Sequence, residues 1–386
     1  MKLPIYMDHH ATTPVDPRVL DSMIPFFSEV YGNPASIDHE FGHQAMQAVE
    51  EARRQISSAI GCASEEIIFT SGATEADNLA IKGIAQQYES KGKHIITCVT
   101  EHKAVLDTCS YLEKNGWKIT YLHVDGEGLV NPDDVKNAIT SQTVLISIMT
   151  ANNEIGVIAP IMEIGKISHE AGVTFHTDAT QAVGYIPMNV KNMNIDLLSL
   201  SGHKIYGPKG IGALYVRNRH PRIKLAEQMH GGGHERGMRA GTLNVPGIVG
   251  LGRALEICNQ EMDSTTSHLS KLRDQLLNEL MMNIEGLKLN GHPKLRLPNN
   301  ISAFIPGIES RSLLIHLKNT VAISNGSACT TAEVKPSHVI MALGYNEERA
   351  YSSIRIGLGK ENDIDETEFV KRKIVEAINI LKKTIG

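Results

Sequence analysis

Apolar positions along this chain fall into two regimes. From about residue 16 to 250, short β-branched runs alternate with longer stretches of helical periodicity. The run Glu66-Ile67-Ile68-Phe69-Thr70 predicts a strand, and residues 73–87 predict a helix that starts directly after Ser71-Gly72. A second strand is expected over 94–99, with a helix over 103–115 behind it. Residues 143–149, 173–177, 197–201 and 211–216 continue the strand series. Alternation of this kind implies a mostly parallel sheet covered by helices on both faces, an α/β fold. Ligands of such sheets sit beyond the carboxyl ends of the strands, so the polar residues ending these runs are the place to look for chemistry.

Beyond Pro246 the pattern changes. Residues 249–282 form one long helix-compatible stretch, followed by apolar runs at 287–289 and 300–305. A helix over 310–317, a strand over 354–356 and a closing helix over 365–383 complete the chain. The mixture predicts a smaller α+β domain, and 386 residues are more than one core usually serves. The expected division is a large α/β domain over 13–250 and a small α+β domain formed by 1–12 and 251–386.

Composition removes several function classes. A net charge of −5 lacks the basic footprint of a general nucleic-acid binder. No apolar run approaches the roughly 20 residues of a membrane span. Residues 1–16 lack the apolar stretch of a secretory signal, so a cytoplasmic location is expected. Cys62, Cys98, Cys109, Cys258 and Cys329 are scattered, without a paired spacing, which argues against a disulfide framework and a zinc site. Cys98 and Cys258 read as small buried hydrophobes. Cys329 differs, because Asn325, Gly326, Ser327, Ala328, Thr330 and Thr331 around it make a small, polar loop able to expose a thiol. The run from His230 to Glu235 raises metal binding, but its histidine spacing suits no common ligand pattern, and no resident metal is expected.

Two residues carry the first chemical signal. Lys204 closes Ser201-Gly202-His203-Lys204 at the end of an apolar strand, ahead of a glycine-rich turn. Alone it reads as a solvated loop lysine. Asp178 ends the strand at 173–177, and a carboxylate there can pair with a protonated pyridine nitrogen and make the ring a better electron sink. A lysine amine can condense with a cofactor aldehyde. Together they point to pyridoxal 5′-phosphate (PLP). Its phosphate needs a cradle, and Thr70-Ser71-Gly72-Ala73-Thr74-Glu75 joins a strand end, a glycine turn and a helix N-terminus, where free N–H groups favour an anion. Ser71 or Thr74 could equally be just an N-cap. His102, just past the second strand, could stack on a ring and move protons near neutral pH.

Six segments in this order resemble the cysteine desulfurases of the NifS/IscS type, within the class V aminotransferase group of fold-type I PLP enzymes. They are Phe69 to Glu75, Asn152-Asn153-Glu154-Ile155-Gly156, Asp178-Ala179-Thr180-Gln181, Ser201 to Lys204, His230 to Thr242, and Gly326-Ser327-Ala328-Cys329-Thr330. The likeness runs from Met7-Asp8-His9-His10-Ala11-Thr12-Thr13-Pro14 to Ser353-Ile354-Arg355. It implies that Lys204 bonds the cofactor and shuttles protons, that Asp178 holds the pyridine nitrogen and Gln181 the ring hydroxyl, and that His102 stacks on the ring. Ala73, Thr74, Ser201 and His203 would bind the phosphate, with Thr242 reaching in from a second subunit of a homodimer. Asn153 and Arg355 would hold the substrate carboxylate, for which a planar guanidinium is suited.

The implied reaction converts L-cysteine to L-alanine and leaves a persulfide on Cys329, whose thiolate is the nucleophile. Sulfur would pass to an acceptor protein, an iron–sulfur scaffold or a sulfur relay protein, for iron–sulfur cluster assembly and tRNA thiolation. Cys329 is then a candidate for transient ligation of a cluster iron. Neither a nucleic acid nor a membrane is an implied partner. Two departures stand out: His9-His10 replaces an aromatic and a small polar residue, and Gly326 stands where serine is common.

Overall fold

The computed structural model describes residues 2–219, 221–325 and 335–385. Its strands are β1 (Ile5–Tyr6), β2 (Ile67–Thr70), β3 (His94–Cys98), β4 (Lys118–Leu122), β5 (Thr143–Ser147) and β6 (Thr174–Asp178). The series continues with β7 (Leu197–Ser201), β8 (Gly212–Val216), β9 (Lys288–Leu289), β10 (Asn300–Phe304), β11 (Val321–Ala322) and β12 (Ser353–Gly357). Seven of them form one sheet in the order β2-β8-β7-β6-β5-β3-β4. All pairs from β7 to β4 are parallel, and β8 alone runs against both of its neighbours. The mostly parallel α/β sheet expected from the alternating pattern is therefore present.

Burial explains why these strands read as largely apolar runs without strict alternation. β2, β3, β5, β7 and β8 are buried at every position, because helices cover both faces. The helix Ala73–Tyr88 lays Ala76, Leu79, Ala80, Ile81, Gly83 and Ile84 on one side of the sheet, three- and four-residue spacings that hold it against β5 to β8. On the other side the 21-residue helix Glu40–Ile60 packs along the 39-residue helix Val245–Asn283. The latter begins with Asn244 accepting from Gly247 N and with a proline in its first turn, where no intrahelical donor is lost. It runs unbroken through residue 250.

After that helix comes a three-stranded antiparallel sheet, β12-β10-β9, closed by the helix Ile364–Ile385. The N-terminal β1 pairs in parallel with β11, and Asp8 bridges to Gly357 at the end of β12. From there the chain crosses to the main sheet. Thr13 N donates to His203 O at 2.9 Å, and Tyr206 N donates to the Thr13 hydroxyl at 2.8 Å. Residues 8–13 are thus stitched between the two sheets, at the carboxyl ends of the parallel strands.

Candidate active site

A cavity of about 550 Å³ opens at those carboxyl ends. Its walls include Ala73, Thr74, His102, Asn153, Asp178, Gln181, Ser201, His203 and Lys204, nine of the residues singled out in the sequence. Arg355 stands behind Asn153, donating from Nη1 to the Asn153 carbonyl at 2.9 Å and from Nη2 to Asp8 Oδ1 at 2.8 Å. Thr242 is exposed and does not line this cavity; it lies in the segment before the long helix. Cys329 lies outside the described residues. The chain on either side of residues 326–334 is anchored close by. Ser324 pairs with Arg355 through both backbone groups, and Ser337 gives its hydroxyl to the buried Glu154. The carboxyl of Glu154 is pushed up to about 7 by burial, against the opposing effects of Ser337 and Arg355.

Lys204 follows β7 in a tight turn, and its Nζ donates to the carbonyls of His10 and Ala11 at 2.6 and 2.7 Å. Burial pulls its pKa down to about 8, and the positive charge of Arg355 adds to the fall. Roughly a tenth of the amine is therefore free at pH 7, far more than for an ordinary lysine, as a lysine that must react with a carbonyl requires. His203 beside it is buried enough, and close enough to Lys204 and Lys209, to fall to about 4. It stays neutral, with Nδ1 3.1 Å from the Thr12 hydroxyl.

Asp178 ends β6 with Oδ1 accepting from Thr180 N at 2.9 Å. Two further carboxyls lie in this buried region. Asp77 has no hydrogen bond at normal distance among the described residues, its Oδ1 standing 3.6 Å from His176 Nε2, and burial, reinforced by the charge of Asp178 and opposed by Ser199, raises its pKa well above the carboxylate range. Glu101 is raised by the same causes, although its Oε1 accepts from Met149 N at 2.7 Å. Of the three carboxyls, Asp178 is the one that lines the cavity. His102 is the N-cap of the helix Lys103–Lys114, its Nδ1 accepting from Ala104 N at 3.2 Å. That bond fixes the tautomer: the ring proton of neutral His102 sits on Nε2.

The cradle between β2 and the helix Ala73–Tyr88 passes a test for a phosphate. Gly72 is the N-cap and makes no side-chain cap, so the N–H groups of the first turn keep their capacity for an anion. Its φ of 155° and ψ of −179° lie in a region open essentially to glycine. A Cβ there would have the Ser201 hydroxyl, 3.9 Å away, as its nearest atom, so it would project into the cavity where an anion must sit. Gly212 at the start of β8 lets this loop settle, since a Cβ on it would stand 2.7 Å from the Gly72 Cα. The donors of Ser201, Thr74 and the first helical turn, the carboxylate of Asp178 and the amine of Lys204 together fit PLP.

Sequence reasoning gave no role to several residues that shape the site. Thr12 and Lys209 line it, and Asp8 neutralises Arg355. Arg239 pairs with Glu75 at 2.8 Å and ties the segment before Thr242 to the cradle. Most of these contacts cross more than 150 positions of sequence, where local pattern carries no signal. No cluster of metal-ligating side chains occurs among the described residues. His230 and His234 are engaged instead with Glu227 and the Gly241 N–H. No helix among them is long and apolar enough to cross a membrane.

Comparison with known proteins agrees with this geometry. The class-V aminotransferase family matches residues 5–370. Cysteine desulfurase IscS of Anaeromyxobacter dehalogenans (strain 2CP-C) is 50% identical over 383 residues, 99% of this chain and 94% of the relative. Cysteine desulfurase IscS of Rickettsia massiliae (strain Mtu5) is 50% identical over 383 residues, 99% and 93% of the two chains. Among solved structures, a NifS-like protein superposes with a TM-score of 0.91 at 38% identity, covering 98% of this chain and all 100% of its own. SspA in complex with cysteine superposes with a TM-score of 0.81 at 39% identity, covering 92% and 98%. These families depend on PLP. The chain belongs to the class-V aminotransferase family and, within it, to the cysteine desulfurases.

Proposed function

We propose that the cavity is where L-cysteine loses its sulfur, that Lys204 bonds the cofactor there, and that Cys329 receives the sulfur. The observation that carries this reading is the convergence of the Lys204 amine, the Asp178 carboxylate and the Gly72 cradle on one cavity. Bound PLP supplies an electron sink for the pair left when the substrate Cα loses its proton. Asp178 holds the pyridine nitrogen protonated, Gln181 meets the ring hydroxyl, and His102 covers the ring. Ala73, Thr74, Ser201 and His203 hold the phosphate, with Thr242 of a second copy added in a homodimer.

Arg355 and Asn153 hold the substrate carboxylate. Arg355 is already braced by Asp8 and the Asn153 carbonyl, so its fork is ordered before cysteine arrives. Lys204 Nζ would carry the Cα proton. The Cys329 thiolate attacks the substrate sulfur; the Cβ–S bond breaks, an S–S bond forms, Cβ takes up a proton, and Cα regains the one held on Lys204 to give alanine. His102 Nε2 and Lys204 Nζ are the groups placed to deliver and accept protons. The anchoring of Ser324 and Ser337 beside the cavity supports Cys329 as the acceptor.

The reading extends to partners and place. The persulfide passes to an acceptor protein, an iron–sulfur scaffold or a sulfur relay protein, with Cys329 able to touch a cluster iron in transit. Cys62, Cys98, Cys109 and Cys258 are all unpaired, which supports a reducing, cytosolic setting. The chain divides into a large domain over 13–250 and a small one of 1–12 and 251–386, joined through the helix Val245–Asn283.

The test is an absorbance spectrum of the purified protein before and after L-cysteine, with alanine assayed alongside. A visible band near ~400 nm that shifts on addition, with alanine released, is expected of a lysine-bound cofactor. A protein that stays colourless and inactive after PLP is supplied would refute the reading.

A further inference from the structure

His10, one of the three residues that depart from the resemblance, is gripped around Gln181. It is 2% exposed, and its ring is no part of the cavity wall. Gln181 Nε2 donates to the His10 backbone carbonyl at 3.0 Å, while Gln181 Oε1 lies 2.9 Å from His10 Nδ1. A carbonyl only accepts, so the amide nitrogen must face it, and the amide oxygen must therefore face the ring. That oxygen in turn requires a proton on Nδ1. The remaining ring nitrogen, Nε2, has no partner among the described residues. Burial holds the ring neutral, its pKa down to about 3, with Arg355, Lys204 and His9 as the cationic or titratable groups around it. The same carbonyl also receives Lys204 Nζ.

We propose that His10 is a positioning residue for the cofactor's ring oxygen: its Nδ1–H and its carbonyl clamp the two ends of the Gln181 amide and hold its free N–H on that oxygen. The inference rests on the reading of Gln181 as the partner of the ring hydroxyl. With both ends clamped, Gln181 keeps its second Nε2 hydrogen to give. Without the ring N–H, the amide keeps only the His10 carbonyl as an anchor, and its free N–H can swing off the ring oxygen. A donor at the ring oxygen stabilises its negative charge and weakens its hold on the proton of the lysine-linked nitrogen. Loss of that donor therefore raises the pH at which the visible band titrates.

The experiment is a pH titration of the visible band in holoenzyme, for the native protein, His10→Phe, His10→Asn, Gln181→Leu and the double variant His10→Phe with Gln181→Leu. Gln181→Leu is expected to raise the midpoint, and His10→Phe to raise it by about half a pH unit or more, the scale of one hydrogen bond. The double variant is expected to move no further than Gln181→Leu alone, because the histidine acts through the amide. His10→Asn, whose amide N–H can stand where Nδ1–H stood, is expected to keep the native midpoint. A His10→Phe midpoint equal to the native one, while Gln181→Leu moves, overturns the proposal and leaves the Gln181 reading intact. Additive shifts in the double variant overturn it too. An unmoved midpoint in Gln181→Leu removes the Gln181 reading and the proposal with it. If His10→Phe fails to retain the cofactor, His10→Leu takes its place in the same comparison.

Discussion

At the scale of single residues, the site works by withholding solvent from charges. Lys204 shows this most directly: burial first, and Arg355 second, bring its amine down to about 8. Capture of PLP by apoprotein, followed by growth of the visible band, should therefore rise with pH around a midpoint near 8. Arg355→Gln should move that midpoint upward, and an unchanged midpoint would contradict the assignment of that charge. Asp77 makes a second case. Its folded pKa is raised far above the 3.8 of an unfolded aspartate, so the folded state keeps a proton that the unfolded state releases. Its contribution is fully present below that unfolded value and is lost as pH rises toward the folded one. Asp77→Asn removes the dependence. Relative to the native protein, the variant should gain stability as pH rises above that unfolded value, by up to ~1.4 kcal/mol per pH unit, in urea unfolding followed by circular dichroism.

Legibility at this scale divided by sequence distance. The polar residues ending the apolar runs could be read, because strand ends in parallel sheets carry the ligand chemistry. The clamp of His10 on Gln181 spans 171 positions and the pairing of Arg355 with Asp8 spans 347, so only folding reveals either.

At the scale of elements, the cradle depends on two glycines facing each other across β2 and β8. Gly72→Ala forces a backbone region that costs roughly 1–3 kcal/mol for other residues and sets a methyl in the anion's space. PLP affinity measured by equilibrium titration should fall at least about tenfold, equivalent to ~1.4 kcal/mol. An unchanged affinity would mean that the phosphate sits elsewhere. Strands buried at every position, such as β5 and β7, were plain in the sequence as short, largely apolar runs. β4 was not, because this edge strand buries only Leu122 fully and begins with an exposed lysine. The seven-residue helix Pro132–Ala138 buries only Val135 and leaves almost no periodic trace.

At the scale of the whole molecule, the site belongs to no single stretch of chain. The main sheet supplies Asp178, Ser201 and Lys204, the later sheet supplies Arg355, and residues 8–13 join the two. Alternating periodicity foretold the main sheet, and the change of pattern beyond Pro246 foretold different structure there. Pairing of β1 with β11, more than 300 residues apart, had no local signature, since each contributes only 2 residues. The central claim is that sulfur leaves L-cysteine for Cys329, and the most direct measurement is mass spectrometry of the peptide containing Cys329 after a single turnover without reductant. The account predicts that this peptide gains one sulfur atom in step with the alanine formed, and that Cys329→Ala forms almost no alanine. Full alanine formation with Cys329 unmodified, or undiminished alanine from Cys329→Ala, would contradict it.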